Sequence, residues 1–128
     1  MNNQKAKVFI VDDEPLLSEM LTDYLLEHHP NLEIKSFLTG EECLKNYSEN
    51  PDIVVLDYHL NSKTKDAANG IDILKELKQK NKALPVIMLS SQKSYGTAAQ
   101  SIGYGAMHYV IKGRDAFDEI QKLLNANI

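Results

Sequence analysis

Residues 52–57, Asp52-Ile53-Val54-Val55-Leu56-Asp57, run from the turn pair Asn50-Pro51 through four apolar residues, mostly β-branched, into a carboxylate. An unbroken apolar run of this length reads as a strand buried on both faces, the kind found in parallel sheets covered by helices. In open parallel α/β sheets, ligands bind outside the carboxyl ends of the strands. Asp57 is therefore a candidate for chemistry, although taken alone it reads as readily as a turn residue. The other strands decide between the two.

Upstream, Val8-Phe9-Ile10-Val11 is a run of the same kind and ends at Asp12-Asp13. Leu17, Met20, Leu21, Tyr24 and Leu25 then recur at helical spacing, with Asp13 placed to cap, Glu14 in the first turn and Pro15 tolerated there. His28-His29-Pro30 stops this helix. Leu32 to Leu38 reads as a second strand, and the interleaved Glu33, Lys35 and Ser36 put it at a sheet edge. Thr39-Gly40-Glu41-Glu42 has the capping-box pattern and opens a short helix through Leu44 and Tyr47.

Downstream, Tyr58 to Asn69 is a polar segment carrying Lys63, Lys65 and Asp66. Asn69 then caps a helix with Ile71, Ile73, Leu74 and Leu77 on its inner side. Pro85 to Leu89 is a fourth strand, ending at Ser90-Ser91. Tyr95, Ala98, Ala99 and Ile102 form a narrow helical stripe, with Gly103 placed to end it. Met107 to Ile111 makes a fifth strand that ends at Lys112, and Phe117, Ile120, Leu123 and Leu124 mark the last helix.

Strands alternating with helices imply βαβ crossovers, hence an α/β fold with a doubly wound, five-stranded parallel sheet of order 2-1-3-4-5. On that frame Asp12, Asp13, Asp57, Ser90 and Lys112 all leave the sheet at one edge, four strand ends converging on one pocket. The length of 128 residues fits a single domain, 1–128, and a content of 43% hydrophobic and 25% charged residues is that of an ordinary globular chain. A net charge of -4 gives no general attraction to nucleic acid or to an anionic membrane, so protein partners are expected. The single cysteine, Cys43, closes no internal disulfide and suits a reducing, cytoplasmic compartment. The first apolar run is cut by Asp12-Asp13, a pattern that fits neither a signal peptide nor a membrane span.

Three carboxylates gathered in one place repel each other and call for a shared cation. Lys112 supplies one charge, and the hard oxygen ligands suit Mg²⁺, or Mn²⁺. Asp57 then reads as a nucleophile in phosphoryl transfer, with the metal and Lys112 neutralising charge on the equatorial oxygens and the Ser90 hydroxyl donating to the product phosphate.

Asp12-Asp13, Val54-Val55-Leu56-Asp57, Met88-Leu89-Ser90-Ser91 and Tyr109-Val110-Ile111-Lys112, in this order, resemble the receiver domain of two-component response regulators, the CheY-like family, over essentially the whole chain. The resemblance implies a phosphorelay switch that catalyses only its own phosphorylation and dephosphorylation. A histidine kinase or histidine phosphotransfer protein presents a phosphohistidine, and the phosphoryl group moves to Asp57 with Mg²⁺. It further implies that Asp13, Asp57 and the backbone carbonyl of His59 hold the metal directly, with Asp12 acting through water. Ser90 and Tyr109 match the family's hydroxyl and aromatic switch pair, which changes the surface of the fourth helix, fifth strand and fifth helix. There family members meet a downstream partner or form phosphorylation-dependent dimers.

The chain departs from the family pattern at three places. Gly113 follows Lys112 where many receivers have proline, so a trans peptide is expected, a non-proline cis bond costing roughly 2.5–4 kcal/mol. His59 beside the acceptor reads as a solvent-facing loop side chain. The segment from Asp57 to Gly70 is longer than usual, with Leu60-Asn61 in place of the family's Met-Pro turn; it is expected at the surface, shielding an acyl phosphate or meeting the phosphodonor. The chain ends just past the fifth helix, as fits a stand-alone receiver or part of a longer regulator. Two further readings are an adaptor of the same fold that signals without phosphorylation, against which the full residue set argues, and an aspartyl phosphatase, in whose D-x-D pattern His59 would replace the second Asp.

Overall fold

Residues 5–60 and 69–128 are described by a computed structural model. The apolar runs become five-residue strands β1 (Lys7–Val11), β2 (Glu33–Phe37), β3 (Ile53–Asp57) and β4 (Val86–Ser90), with β5 (His108–Ile111) one residue shorter. All pair in parallel, in the order β2-β1-β3-β4-β5. Every residue of β3 and β4 is buried, because helices cover both faces of the central strands. Edge strand β2 is mostly exposed, as its interleaved polar residues require. Asn50, left-handed at φ 59°, turns the chain into β3, a conformation that asparagine tolerates.

Successive strand residues point to opposite faces, and the core is accordingly two layers. On one face Phe9, Val11, Val54, Leu56, Val86 and Met88 meet Ile73, Leu74 and Leu77 of α3 (Gly70–Lys80) and Cys43 of α2 (Gly40–Lys45). On the other, Val8, Ile10, Val55, Ile87 and Val110 meet Leu21 and Leu25 of α1 (Pro15–His28) and Ile120 and Leu124 of α5 (Ala116–Asn127). Each fully buried Leu, Ile or Phe contributes about 1.5–3 kcal/mol. Among the described residues no helix is long and apolar enough to cross a membrane.

The caps form where the sequence places them at α2 and α3: Thr39 accepts from Glu42 N–H at 3.2 Å and Asn69 from Asp72 N–H at 2.9 Å. At α1 the expectation fails. Glu14, not Asp13, is the N-cap residue and its side chain makes no capping bond; instead Asp12 Oδ1 accepts the Glu14 N–H at 2.9 Å. The α2 helix stops at Lys45, and Tyr47 begins a separate 3-10 turn, Tyr47–Glu49.

Helix α4 (Tyr95–Gly103) forms, but its apolar stripe does not face the core: Tyr95 is 98% exposed, Ile102 is exposed, and the buried position is Ser101. Met20 of α1 is likewise exposed. The helix ends at Gly103, as expected, and the left-handed turn after it is made by Gly105, whose φ of +106° suits glycine. Residues 61–68 of the long polar segment lie outside the described residues, so its expected place at the surface is tested only at its two ends.

Candidate functional site

The parallel register fixes which side chains meet. Val11 pairs with Leu56 and Asp57 with Leu89, so the residues that follow β1 stand beside the end of β3. Ser90 pairs with Ile111, which sets Lys112 one step beyond the end of β4. The Lys112 N–H then donates to the Ser90 carbonyl at 2.7 Å, continuing the ladder. The expected convergence is thus realised by strand pairing.

Asp12, Asp13 and Asp57 each bring a carboxylate oxygen to within 4.8 Å of the others. Asp12 is 1% and Asp57 2% exposed. Burying ionised carboxylates is costly, and their titration shows it. Asp12 is raised to about 6, by burial first and the neighbouring Asp57 charge second. Asp57 is also raised, by burial, against the opposing pull of Lys112 and of the His59 N–H. That N–H donates to Asp57 Oδ1 at 3.0 Å.

Lys112 is the cation of the site. Its ammonium lies 3.4 Å from Asp12 Oδ2, 3.4 Å from Asp57 Oδ1 and 3.3 Å from Glu14 Oε2. Burial pulls its pKa down, but the three carboxylates outweigh this and the net shift is upward. The Lys112-Gly113 peptide is trans, as expected. Asp12 Oδ2 is buried and makes no hydrogen bond, its recorded partner being the Lys112 ammonium of the ion pair. A buried carboxylate oxygen without a hydrogen-bond donor, within an all-oxygen donor set, fits a hard dication such as Mg²⁺.

Ser90 is fully buried, and its Oγ accepts the Gln92 N–H at 3.1 Å. Tyr109 is half-buried on β5, against the same apolar layer as Met88, and its hydroxyl donates to the Gln92 carbonyl at 2.8 Å. One peptide segment thus joins the two. His59 departs from expectation: it is half-buried, its Nε2 is enclosed without a hydrogen-bond partner among the described residues, and its ring stands edge-on to Tyr58, 5.1 Å between centroids.

Two contributors were not singled out from the sequence. Glu14 appeared only as a first-turn residue; the signal available was the excess of acids over the lone Lys112 at this sheet edge. Gln92 acts through its main chain, which no side-chain pattern reveals.

Comparison with known proteins agrees with this geometry. The model of the response regulator receiver domain matches residues 8–125. The transcriptional regulatory protein CssR of Bacillus subtilis is 31% identical over 120 residues, covering 91% of this chain and 50% of that protein. The chain spans about half the length of such curated relatives. Response regulator TrrA of Thermotoga maritima, solved in complex with Mg²⁺ and BeF, is 29% identical with a TM-score of 0.80, covering 96% of this chain and 99% of that one. The Vibrio cholerae chemotaxis protein CheY4, at 20% identity and a TM-score of 0.83 over 98% of this chain and all (100%) of that one, shares the fold. With a family match that takes in every strand end described above, the chain belongs to the response regulator receiver domains of two-component signalling.

Proposed function

We propose that residues 1–128 form one receiver domain that accepts a phosphoryl group on Asp57 from the phosphohistidine of a histidine kinase or phosphotransfer protein. An Asp57 carboxylate oxygen attacks phosphorus as the P–N bond to the imidazole breaks; the bonding pair leaves with the nitrogen, and the product is an acyl phosphate. The observation that carries this reading is the triple placement of Lys112 against Asp12, Glu14 and Asp57 beside the clustered carboxylates of Asp12, Asp13 and Asp57. Asp13, Asp57 and the His59 carbonyl would hold Mg²⁺, with Asp12 acting through water. When bound, the ion supplies charge neutralisation for the phosphoryl oxygens. Lys112, released from the carboxylates, binds a second phosphoryl oxygen, and burial of Asp57 keeps bulk water from its Oδ atoms.

The Ser90 hydroxyl, drawn to the phosphate, gives up the Gln92 N–H, and Tyr109 repacks. The signal then passes to the face formed by α4, β5 and α5, where the exposed Tyr95 and Ile102 of α4 suit a protein partner or a second receiver. The test is intact-mass measurement after incubation with a small phosphodonor and Mg²⁺. Wild type should gain one phosphoryl group, and Asp57→Asn should gain none. Modification that persists in Asp57→Asn would remove Asp57 as acceptor.

A further inference from the structure

Glu14 is the one member of the Lys112 bridge that is not buried. Asp12 and Asp57 are sealed in, whereas the Glu14 side chain is 55% exposed and holds the Lys112 ammonium from the open side at 3.3 Å. Its backbone is fixed as well, since its N–H donates to Asp12 Oδ1 and α1 begins at the next residue. A fourth carboxylate therefore stands at the mouth of a site that has to admit an anion. It also shares the single ammonium that the described residues bring within 4 Å of it.

Resting on Asp57 as the acceptor, we propose that Glu14 is a specificity-determining residue that selects phosphodonors by charge. It slows transfer from small free polyanions relative to a phosphoryl group carried on a nitrogen leaving group, as on the imidazole of a docked protein. The repulsion grows with the donor's charge, whereas freeing Lys112 from Glu14 costs the same whatever the donor. Across roughly 7 Å of solvated space one charge facing a dianion changes the rate about five- to tenfold, and facing a monoanion about two- to threefold.

Two donors separate these effects. Acetyl phosphate is a dianion at neutral pH; Asp57 Oδ attacks phosphorus, and the P–O bond breaks with its pair leaving on acetate. Phosphoramidate is a zwitterion of net charge minus one; its P–N bond breaks and ammonia leaves. Initial rates are read by intact mass on the full chain with Mg²⁺, for wild type, Glu14→Gln and Glu14→Lys. The expected result is a graded rise, wild type below Gln below Lys. Glu14→Gln should gain about fivefold with acetyl phosphate and about twofold with phosphoramidate, both gains collapsing in about 0.5 M salt. Equal gains with both donors, a loss with both, which would make Glu14 merely a positioning residue for Lys112, or no change overturns the proposal. If wild type, Glu14→Gln and Glu14→Lys all gain nothing from either donor, or if Asp57→Asn is modified as wild type is, the acceptor assignment falls, and this proposal with it.

Discussion

Asp12 is held at a disadvantage in the folded, metal-free protein. Its folded pKa of about 6 lies above its ordinary value of 3.8, so the folded chain binds this proton more tightly than the unfolded chain does. Stability is therefore undiminished at or below about pH 4, falls as pH rises through about 6, and above that carries a cost on the order of 1–3 kcal/mol. Asp57 is shifted in the same direction. A dication in the cluster reverses the disadvantage, and because it competes with protons for the carboxylates its hold weakens below about pH 6. Melting temperatures across pH 4.5–8, with EDTA or Mg²⁺, are the measurement. Mg²⁺ should raise Tm far more at pH 7.5 than at pH 5, and Asp12→Asn, which keeps an acceptor for the Glu14 N–H, should raise the metal-free Tm at pH 7.5. A metal-free pH profile identical in Asp12→Asn and wild type would show that the burden lies elsewhere. Asp12, Asp13, Asp57, Ser90 and Lys112 were legible because each closes an apolar run, and parallel pairing brings such ends together. Glu14 was not, since its role depends on how far an exposed side chain reaches across to Lys112, which spacing does not encode.

The β4–α4 junction is where the site meets the rest of the fold. Ser90 Oγ accepts the Gln92 N–H while the Tyr109 hydroxyl donates a hydrogen bond to the Gln92 carbonyl, so one residue's main chain registers both partners. Ser90→Ala removes the first bond and leaves the nucleophile and acidic cluster intact. It should still accept phosphate at Asp57, yet the Tyr109 ring resonances should no longer respond to a phosphoryl mimic in NMR spectra. A response equal to wild type would mean that Tyr109 follows some other element. The helices also mark where sequence reading stops. The stripe Ile71, Ile73, Leu74 and Leu77 faces the core, whereas that of Tyr95, Ala98 and Ile102 is left largely to solvent. Periodicity identifies an apolar face, but whether its partner lies within the same chain depends on tertiary packing. Gly103 ends α4 as its placement suggests, but the left-handed turn that follows is made by Gly105, next to Ala106 where the chain enters the core.

At the scale of the molecule, two apolar layers clamp one sheet, and the long polar segment leaves and re-enters that body at defined points. Leu60 is buried before it, and after it Asn69 caps α3. Gly70 lies so close to the end of β3 that a Cβ there would collide with the Asp57 carbonyl and come within 2.8 Å of Tyr58 Cα. Because both ends are held by the core, removing Lys63 to Ala68 should leave Tm within about 2 °C of the parent, loop closure changing by only about 0.6 kcal/mol per doubling of length. The lifetime of the acyl phosphate, or the rate of transfer from the cognate kinase, should change. If Tm and both rates match the parent, the segment is passive. The Gly70 contact also makes this span a splice point: an epitope or a dye-bearing peptide inserted between these anchors would be tethered against β3, beside the proposed acceptor Asp57, a reporter attached at the site it is meant to read.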